Sequence, residues 1–264
     1  MMLELSAPTY ATAPGEQRRI EFADGSTVEL NSRSRIRVKY SKQERDVEIV
    51  EGQALFKVAH DANRPFIVAV GATRIRAIGT QFDVYKKSGT TVVSVVEGRV
   101  AVCSTHQRSA LSSRATGAAT ERPPLATPTA QREPVSPGLI PGAGDSFLVA
   151  AGEQVTVTAE STQKAVRPNV SNATSWTRDE IVFEGATLSD VAAEFNRYNK
   201  RQLVIDDPDR LNFHISGTFS SADPESLIRF LRQRIGVRVT ETGGQIRISA
   251  VFPSRCLIPE KCGT

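Results

Sequence analysis

Three stretches decide the fold of this chain: GEQRRIEFADGSTVELNSRSRIRVKY at 15–40, RDVEIVEGQALFKVAHDANRPFIVAVGATRIRAIGTQFDVY at 45–85, and VVSVVEGRVAV at 92–102. Apolar and polar residues alternate in short runs, interrupted at Asp24-Gly25, Glu51-Gly52, Gly71, Gly79 and Glu97-Gly98. Alternation with period two makes strands with one buried face, and glycine supplies the positive φ that tight turns need. An all-β module follows. Asp24-Gly25, between Ile20/Phe22 and Val28/Leu30, predicts a two-residue hairpin. Leu55, Phe56 and Val58 read as core, with Lys57 pointing outward. Arg64-Pro65 pushes Arg64 into extended backbone and opens a strand at Phe66. Gly79 before Thr80 predicts a close backbone approach or a bulge. Ile49-Val50-Glu51-Gly52, Val95-Val96-Glu97-Gly98 and Val149-Ala150-Ala151-Gly152-Glu153 share one theme: an apolar run, a sharp turn, another strand. That repeat favours a mainly β module that is wound, solenoid-like or a sandwich over a flat meander.

Outside these stretches the composition is that of an ordinary folded protein. The 264 residues suit about two domains. Net charge is +4, with both signs mixed along most strands, so no dedicated nucleic-acid surface is implied. Arg33, Arg35, Arg37 and Lys39 alternate with apolar residues, which reads as a solvated strand face or, more sharply, as a positive patch for an acidic partner. Residues 104–145 are rich in Ala, Ser, Thr, Pro and Arg and predict a disordered insertion into the β module, which resumes at Ser146-Phe147-Leu148-Val149. Residues 158–174 read as a polar connector. Trp176, the single tryptophan, reads either as a packing anchor or as a binding hot spot.

A second module spans about 180–250. Ile181-Val182-Phe183 predicts a strand. Thr187 to Asn199 predicts a helix, with Leu188, Val191, Ala192, Phe195 and Tyr198 on one face and Thr187/Asp190 as a capping box. Strands at 202–205 and 213–217 follow, then a helix opened by Asp223-Pro224-Glu225, buried through Leu227, Ile228, Phe230, Leu231 and Ile235, and capped by Gly236. Val237–Thr240 and Gln245–Ile248 form a hairpin through Gly243-Gly244. The order is β-α-β-β-α-β-β, a small α+β C-terminal domain. The domain plan is therefore a tail at 1–14, the β domain at 15–158, a linker at 159–179, the α+β domain at 180–250 and a tail at 251–264.

Several ordered motifs together resemble one family. They are Gly15-Glu16-Gln17-Arg18-Arg19, Ala23-Asp24-Gly25-Ser26, Leu30-Asn31-Ser32, Glu51-Gly52-Gln53-Ala54-Leu55-Phe56-Lys57-Val58-Ala59, Arg64-Pro65-Phe66-Ile67-Val68 and Ile78-Gly79-Thr80-Gln81-Phe82-Asp83-Val84. Val96-Glu97-Gly98-Arg99-Val100, Ala151-Gly152-Glu153, Trp176, Phe183 to Gly185 and Glu194-Phe195-Asn196-Arg197-Tyr198 continue the match. The chain resembles the periplasmic part of FecR-type regulators over roughly residues 15–250. The second module resembles the short domain at the N-termini of secretins and TonB-dependent receptors. Within the motifs, Gly25, Asn31, Gly52, Phe56, Arg64, Pro65, Phe66, Gly79, Thr80, Phe82, Glu97, Gly98, Gly152, Asn196 and Tyr198 read as structural.

The resemblance implies a periplasmic signalling regulator, anchored in its family to the inner membrane. Its partner would be the signalling domain of a TonB-dependent outer-membrane transporter, in uptake of the iron/siderophore type. An extracytoplasmic-function sigma factor would be reached only through a cytoplasmic region absent from these residues. No run approaches ~20 apolar residues, and residues 1–19 lack a basic start followed by an apolar core, so neither an anchor nor a signal peptide is expected here. A fragment and a misassigned start both account for that. In an oxidising periplasm Cys256 and Cys262 could close a small disulfide loop; alternatively these two and Cys103 are free thiols.

Partner binding is expected at an available sheet edge of the second module. The candidate residues are Trp176, Val237, Val239, Gln245, Ile246 and Ile248. No G-x-S-x-G, Walker or H-E-x-x-H motif occurs, and His60, His106 and His214 are scattered, so no enzyme, cofactor, metal site or small-molecule substrate is expected. Asp206, Asp207 and Asp209 around Pro208 read as a turn rather than a cation loop. The competing reading is an envelope scaffold or glycan-binding module of an export or secretion system.

Overall fold

A computed structural model describes residues 7–41, 45–104, 146–234 and 236–251. Most of the expected insertion, Ile235, His106, Cys256 and Cys262 lie outside the described residues. The chain divides into two compact units. One comprises residues 1–11, 19–30 and 34–170; the other comprises 12–18, 31–33 and 171–264.

The first unit is a curled, 13-stranded sheet. Its strands are β1 (Thr9–Ala11), β2 (Arg18–Glu21), β3 (Thr27–Leu30), β4 (Arg35–Tyr40), β5 (Arg45–Lys57), β6 (Phe66–Val70), β7 (Thr73–Ala77), β8 (Gln81–Lys87), β9 (Thr90–Glu97), β10 (Arg99–Ser104), β11 (Phe147–Ala150), β12 (Gln154–Thr158) and β13 (Thr162–Lys164). The main path runs β11-β10-β7-β6-β5-β8-β9-β12-β13. The winding comes from β5. Its first half pairs antiparallel with β4 and parallel with β6; its second half pairs antiparallel with β3 and β8. Parallel neighbours need a crossover, and here the second half of β5 with the loop after it provides one.

Glu51-Gly52, which the sequence pattern marks as a break, is instead a bulge inside β5. Arg35 faces Glu51 while Ile36 faces Ile49, so one extra residue is accommodated, with Gly52 at φ 85°. An extra residue reverses which side chains face inward. Val47 and Ile49 are buried before the bulge, and Ala54 and Phe56 after it. The other glycines of the repeat, Gly98 and Gly152, take φ 78° and 80° at corners between strands that do not pair with each other: β9 pairs with β8 and β12, and β10 with β7 and β11. The Asp24-Gly25 turn is wider than a two-residue hairpin: Phe22 N–H donates to Ser26 O and Gly25 N–H to Phe22 O. Asp24 causes the difference, because its carboxylate accepts the Ser26 N–H and hydroxyl at 3.0 and 2.8 Å.

Valine, isoleucine and phenylalanine from nearly every strand fill the core. Phe56 stacks on Phe82 at 5.2 Å and meets Phe66 edge-on at 5.9 Å. Among the described residues, two charged side chains are buried in the same unit, Arg45 and Asp83, the latter accepting from Gln53 Nε2 at 2.9 Å. Arg45 is 1% exposed and donates to Asp24 Oδ2 (2.8 Å), Arg64 O (2.7 Å), Ala59 O (3.1 Å) and Asp61 O (3.3 Å). Burial pushes the Asp24 carboxyl up, but the bonds from Arg45 and Ser26 outweigh it and hold the group below its ordinary range. Two residues of the basic stripe are paired on β4: Arg35 meets Glu51 at 3.0 Å and Arg37 meets Glu48 at 3.2 Å. The expected connector at 158–174 also carries structure. Thr162–Lys164 pairs with β12, and Val170–Ala173 forms a short helix, α1. An exposed edge strand needs no apolar alternation, which is why the pattern missed it.

In the second unit, a 3-10 turn (Ser175–Arg178) precedes β14 (Glu180–Thr187), α2 (Leu188–Tyr198), β15 (Gln202–Ile205), β16 (His214–Ser220), α3 (Glu225–Arg232), β17 (Val237–Thr242) and β18 (Gln245–Ala250). This is the expected β-α-β-β-α-β-β order. The two helices lie between a two-stranded sheet, β14-β16, and a three-stranded sheet, β15-β18-β17. Thr187 caps α2 by accepting the Asp190 N–H at 3.1 Å. Its buried face is Leu188, Val191, Ala192, Phe195 and Tyr198. Phe183, Phe195, Phe219 and Phe230 form a chain of ring contacts at 5.7–6.3 Å.

Candidate partner-binding site

The three-stranded sheet has two edges, β15 and β17, and β17 is the one among the expected docking strands. β18 is the central strand, parallel to β15 and antiparallel to β17. Ile246 and Ile248 are 1% and 0% exposed, and β18 is paired on both sides. Of the two expected edges only β17 is one, and Gln245, Ile246 and Ile248 offer no edge to a partner strand. The alternation of polar and apolar residues is alike in β17 and β18, so pattern alone could not rank them. Trp176 is 3% exposed and takes the packing role; its carbonyl accepts from Gln17 Nε2 at 2.9 Å.

Hairpin geometry says which backbone groups of β17 point away. Gly243 and Gly244 take φ 59° and 81°, as a two-residue turn with left-handed centres demands. The pair closing such a turn, Thr242 and Gln245, exchanges hydrogen bonds, and bonded and non-bonded pairs then alternate. Thr240 and Arg238 therefore aim their backbone groups at β18, whereas Val239 and Glu241 aim theirs outward; the Val237 N–H donates to Arg234 O at 3.3 Å. Among the described residues no strand pairs with that outer edge. The side chains alternate as well. Glu241 reaches Arg232 of α3 at 2.8 Å and Arg201 at 3.2 Å, and Arg201 also holds Glu225 at 2.6 Å. Arg238, Thr240, Thr242, Gln245 and Arg247 line the opposite, exposed face, where Arg247 pairs with Asp206. The site is thus a short edge anchored by ion pairs beside an open polar face. It holds no nucleophile–base arrangement, and no group of three or more His, Cys, Asp or Glu able to hold a metal occurs among the described residues.

Other motif residues meet elsewhere in the second unit. Asn31 Nδ2 donates to Tyr198 Oη at 2.7 Å although 167 residues separate them. Asn196 clips β15 to α2: its Nδ2 donates to Leu203 O at 2.9 Å and its Oδ1 accepts the Leu203 N–H at 2.7 Å. In the first unit, Phe56, Phe66 and Phe82 form the aromatic cluster, and Arg64, before Pro65, supplies a carbonyl to Arg45. Gly79 backs onto His60, where a Cβ would lie 2.7 Å from Nδ1; a Cβ on Gly98 would lie 2.8 Å from Thr80 Cγ2. Glu97 opposes Gln81 in the β8–β9 ladder. Gly25, at φ 81°, sits in open space, so its role is the turn itself.

Residues 8–101 match the family described as FecR protein. Over those residues the chain is similar to the FecR family. No curated protein matches the sequence. Two crystal structures of a candidate anti-sigma factor from Parabacteroides distasonis, at 1.65 and 2.50 Å resolution, resemble this fold with a TM-score of 0.70 each and 20% identity. Each comparison covers 93% of this chain, and 100% and 99% of the solved chains. The likeness extends beyond the FecR match into the α+β unit and shows a shared fold. Sequence reasoning missed Arg45. Its signal was parity: Arg45 shares the inward register of Val47 and Ile49.

Proposed function

We propose that this chain is the periplasmic part of a FecR-type signalling regulator, non-enzymatic, acting on a sigma factor through a region outside these residues. Its input is the signalling domain of a TonB-dependent outer-membrane transporter, which adds a strand to β17. The observation that carries this reading is the outward backbone of Val239 and Glu241 on a chain whose residues 8–101 match the FecR family. Main-chain pairing gives such an edge affinity, and Arg238, Thr240 and Arg247 on the open face beside it give selectivity. The likeness to a candidate anti-sigma factor supports the sigma-factor branch.

Calorimetric titration with the signalling domain of the transporter encoded nearest the gene tests this. Saturable binding is expected, weakened about tenfold or more by Val239→Pro, because one docking hydrogen bond is lost and the ring blocks the approaching strand. Proline is tolerated on an edge whose N–H faces solvent, so the variant keeps its fold. Val239→Ala controls for side-chain loss. Absence of binding between two folded proteins would overturn the reading in favour of an envelope scaffold with another partner.

A further inference from the structure

Two loops that precede or follow strands of the 13-stranded sheet are built into the α+β unit. Residues 12–18 and 31–33 pack there rather than with the strands beside them in sequence. Four polar side chains hold them. Asn31 donates to the Tyr198 hydroxyl, and Ser32 Oγ donates to Arg197 O while accepting the Gly15 N–H at 2.8 Å. Arg197 Nη2 returns a bond to Ser32 O at 3.2 Å, and Nη1 is fixed by Glu194 at 2.7 Å. Gln17 Nε2 reaches Trp176 O and, at 3.2 Å, Asp179 Oδ1. Thr12 Oγ1 ties the two loops together through Asn31 O at 2.6 Å. Asn31 and Ser32 are 0% exposed, and the Asn31–Tyr198 and Thr12–Asn31 bonds are shielded from water, whereas the Gln17–Asp179 bond is exposed. There is no slack: β1 ends at Ala11, β2 starts at Arg18, β3 ends at Leu30 and β4 starts at Arg35.

We infer that this clasp couples the last turn of α2 to strands β1, β2, β3 and β4, so that the α+β unit and that part of the 13-stranded sheet open as one. The physical reason is covalent. Residues 12–18 and 31–33 are anchored at both ends by strands, so releasing them from α2 frees the ends of four strands, β1 to β4. Melting those strands likewise withdraws the side chains that hold the end of α2. Local openings in proteins follow such contiguous units, and coupling of this kind is reciprocal. The α+β unit also requires the N-terminal loops, so a fragment beginning after residue 33 lacks part of it.

Hydrogen exchange by mass spectrometry on the full chain tests the coupling without any partner. In Asn31→Ala/Tyr198→Phe, amides of 188–198 and of 18–40 should both exchange about fivefold faster or more, the scale of one lost neutral hydrogen bond. The reciprocal variant Val28→Ala, in β3, should speed exchange in 188–198 as well as around itself. Gly15→Ala gives an independent wedge: φ is 77° and a Cβ would lie 2.9 Å from Tyr198 O. It should reproduce the same two-sided pattern, and serves if the double variant does not fold. Acceleration confined to the unit that carries each substitution, or no acceleration in either, overturns the inference.

Discussion

Replacing Arg45 by methionine removes the guanidinium while keeping the apolar stem that passes Phe66. Four hydrogen bonds disappear, at 2.7–3.3 Å, and Asp24, whose side chain is 9% exposed, keeps only Ser26. Breaking a buried pair by deleting one partner costs about 3–5 kcal/mol, a large part of the ~5–15 kcal/mol that holds a typical domain. Urea unfolding is the assay. With a slope of about 2 kcal/mol per molar, the midpoint should fall by about 2 M. The pH dependence checks the cause. Asp24 is held below its ordinary pKa in the folded state, so its stabilisation is present above the unfolded value of ~3.9 and is lost as pH falls through the folded value. Arg45→Met should flatten that acid limb. Adding Asp24→Asn should recover roughly 1–3 kcal/mol, since no charge is then left unpaired. A midpoint shift below ~0.5 M for Arg45→Met, with an unchanged acid limb, would refute the reasoning by showing that the pair contributes little net stability.

Phe56→Ala empties the centre of the aromatic cluster and should destabilise the first unit by about 3–5 kcal/mol, read by calorimetric melting. Gly98→Ala combines a left-handed φ of 78° with a 2.8 Å contact to Thr80, and should lose about 1–3 kcal/mol. Gly25→Ala, with a similar φ but open space, should lose about 1 kcal/mol. The two melting curves therefore separate overpacking from backbone strain. Thr187→Ala removes the α2 cap and should cost about 1 kcal/mol, seen as faster amide exchange in the first turn of the helix.

The elements most legible in the sequence were those with a local cause. Period-two alternation placed β6, β7 and β9, and the glycine pair at 243–244 placed the last hairpin. The Thr187/Asp190 pair placed the start of α2. What stayed hidden depends on contacts far along the chain. The Glu51-Gly52 signal is the same for a turn and for a bulge, and only the partners on β4 and β8 settle which one forms. Edge and centre in the three-stranded sheet follow from β15 pairing parallel to β18, a choice that no local pattern records. Asn31 and Tyr198 were visible as motif residues, but their meeting is a property of two loops and a helix end assembled in three dimensions. Among the described residues no helix is long and apolar enough to cross a membrane.

The shared role of β5 has a consequence during synthesis. When Lys57 leaves the ribosome, β3 and β4 already exist to pair with one side of this 13-residue strand. The other side waits for β6 and then β8, which ends at Lys87, 87 − 57 = 30 residues later. At ~5–20 residues per second that wait lasts about 2–6 s. Throughout it, a long strand with buried-type side chains such as Ile49 and Phe56 stays open to pairing with another nascent chain. Translation speed between Val58 and Lys87 therefore bears directly on the yield of native protein, and slow codons placed there should raise the aggregated fraction.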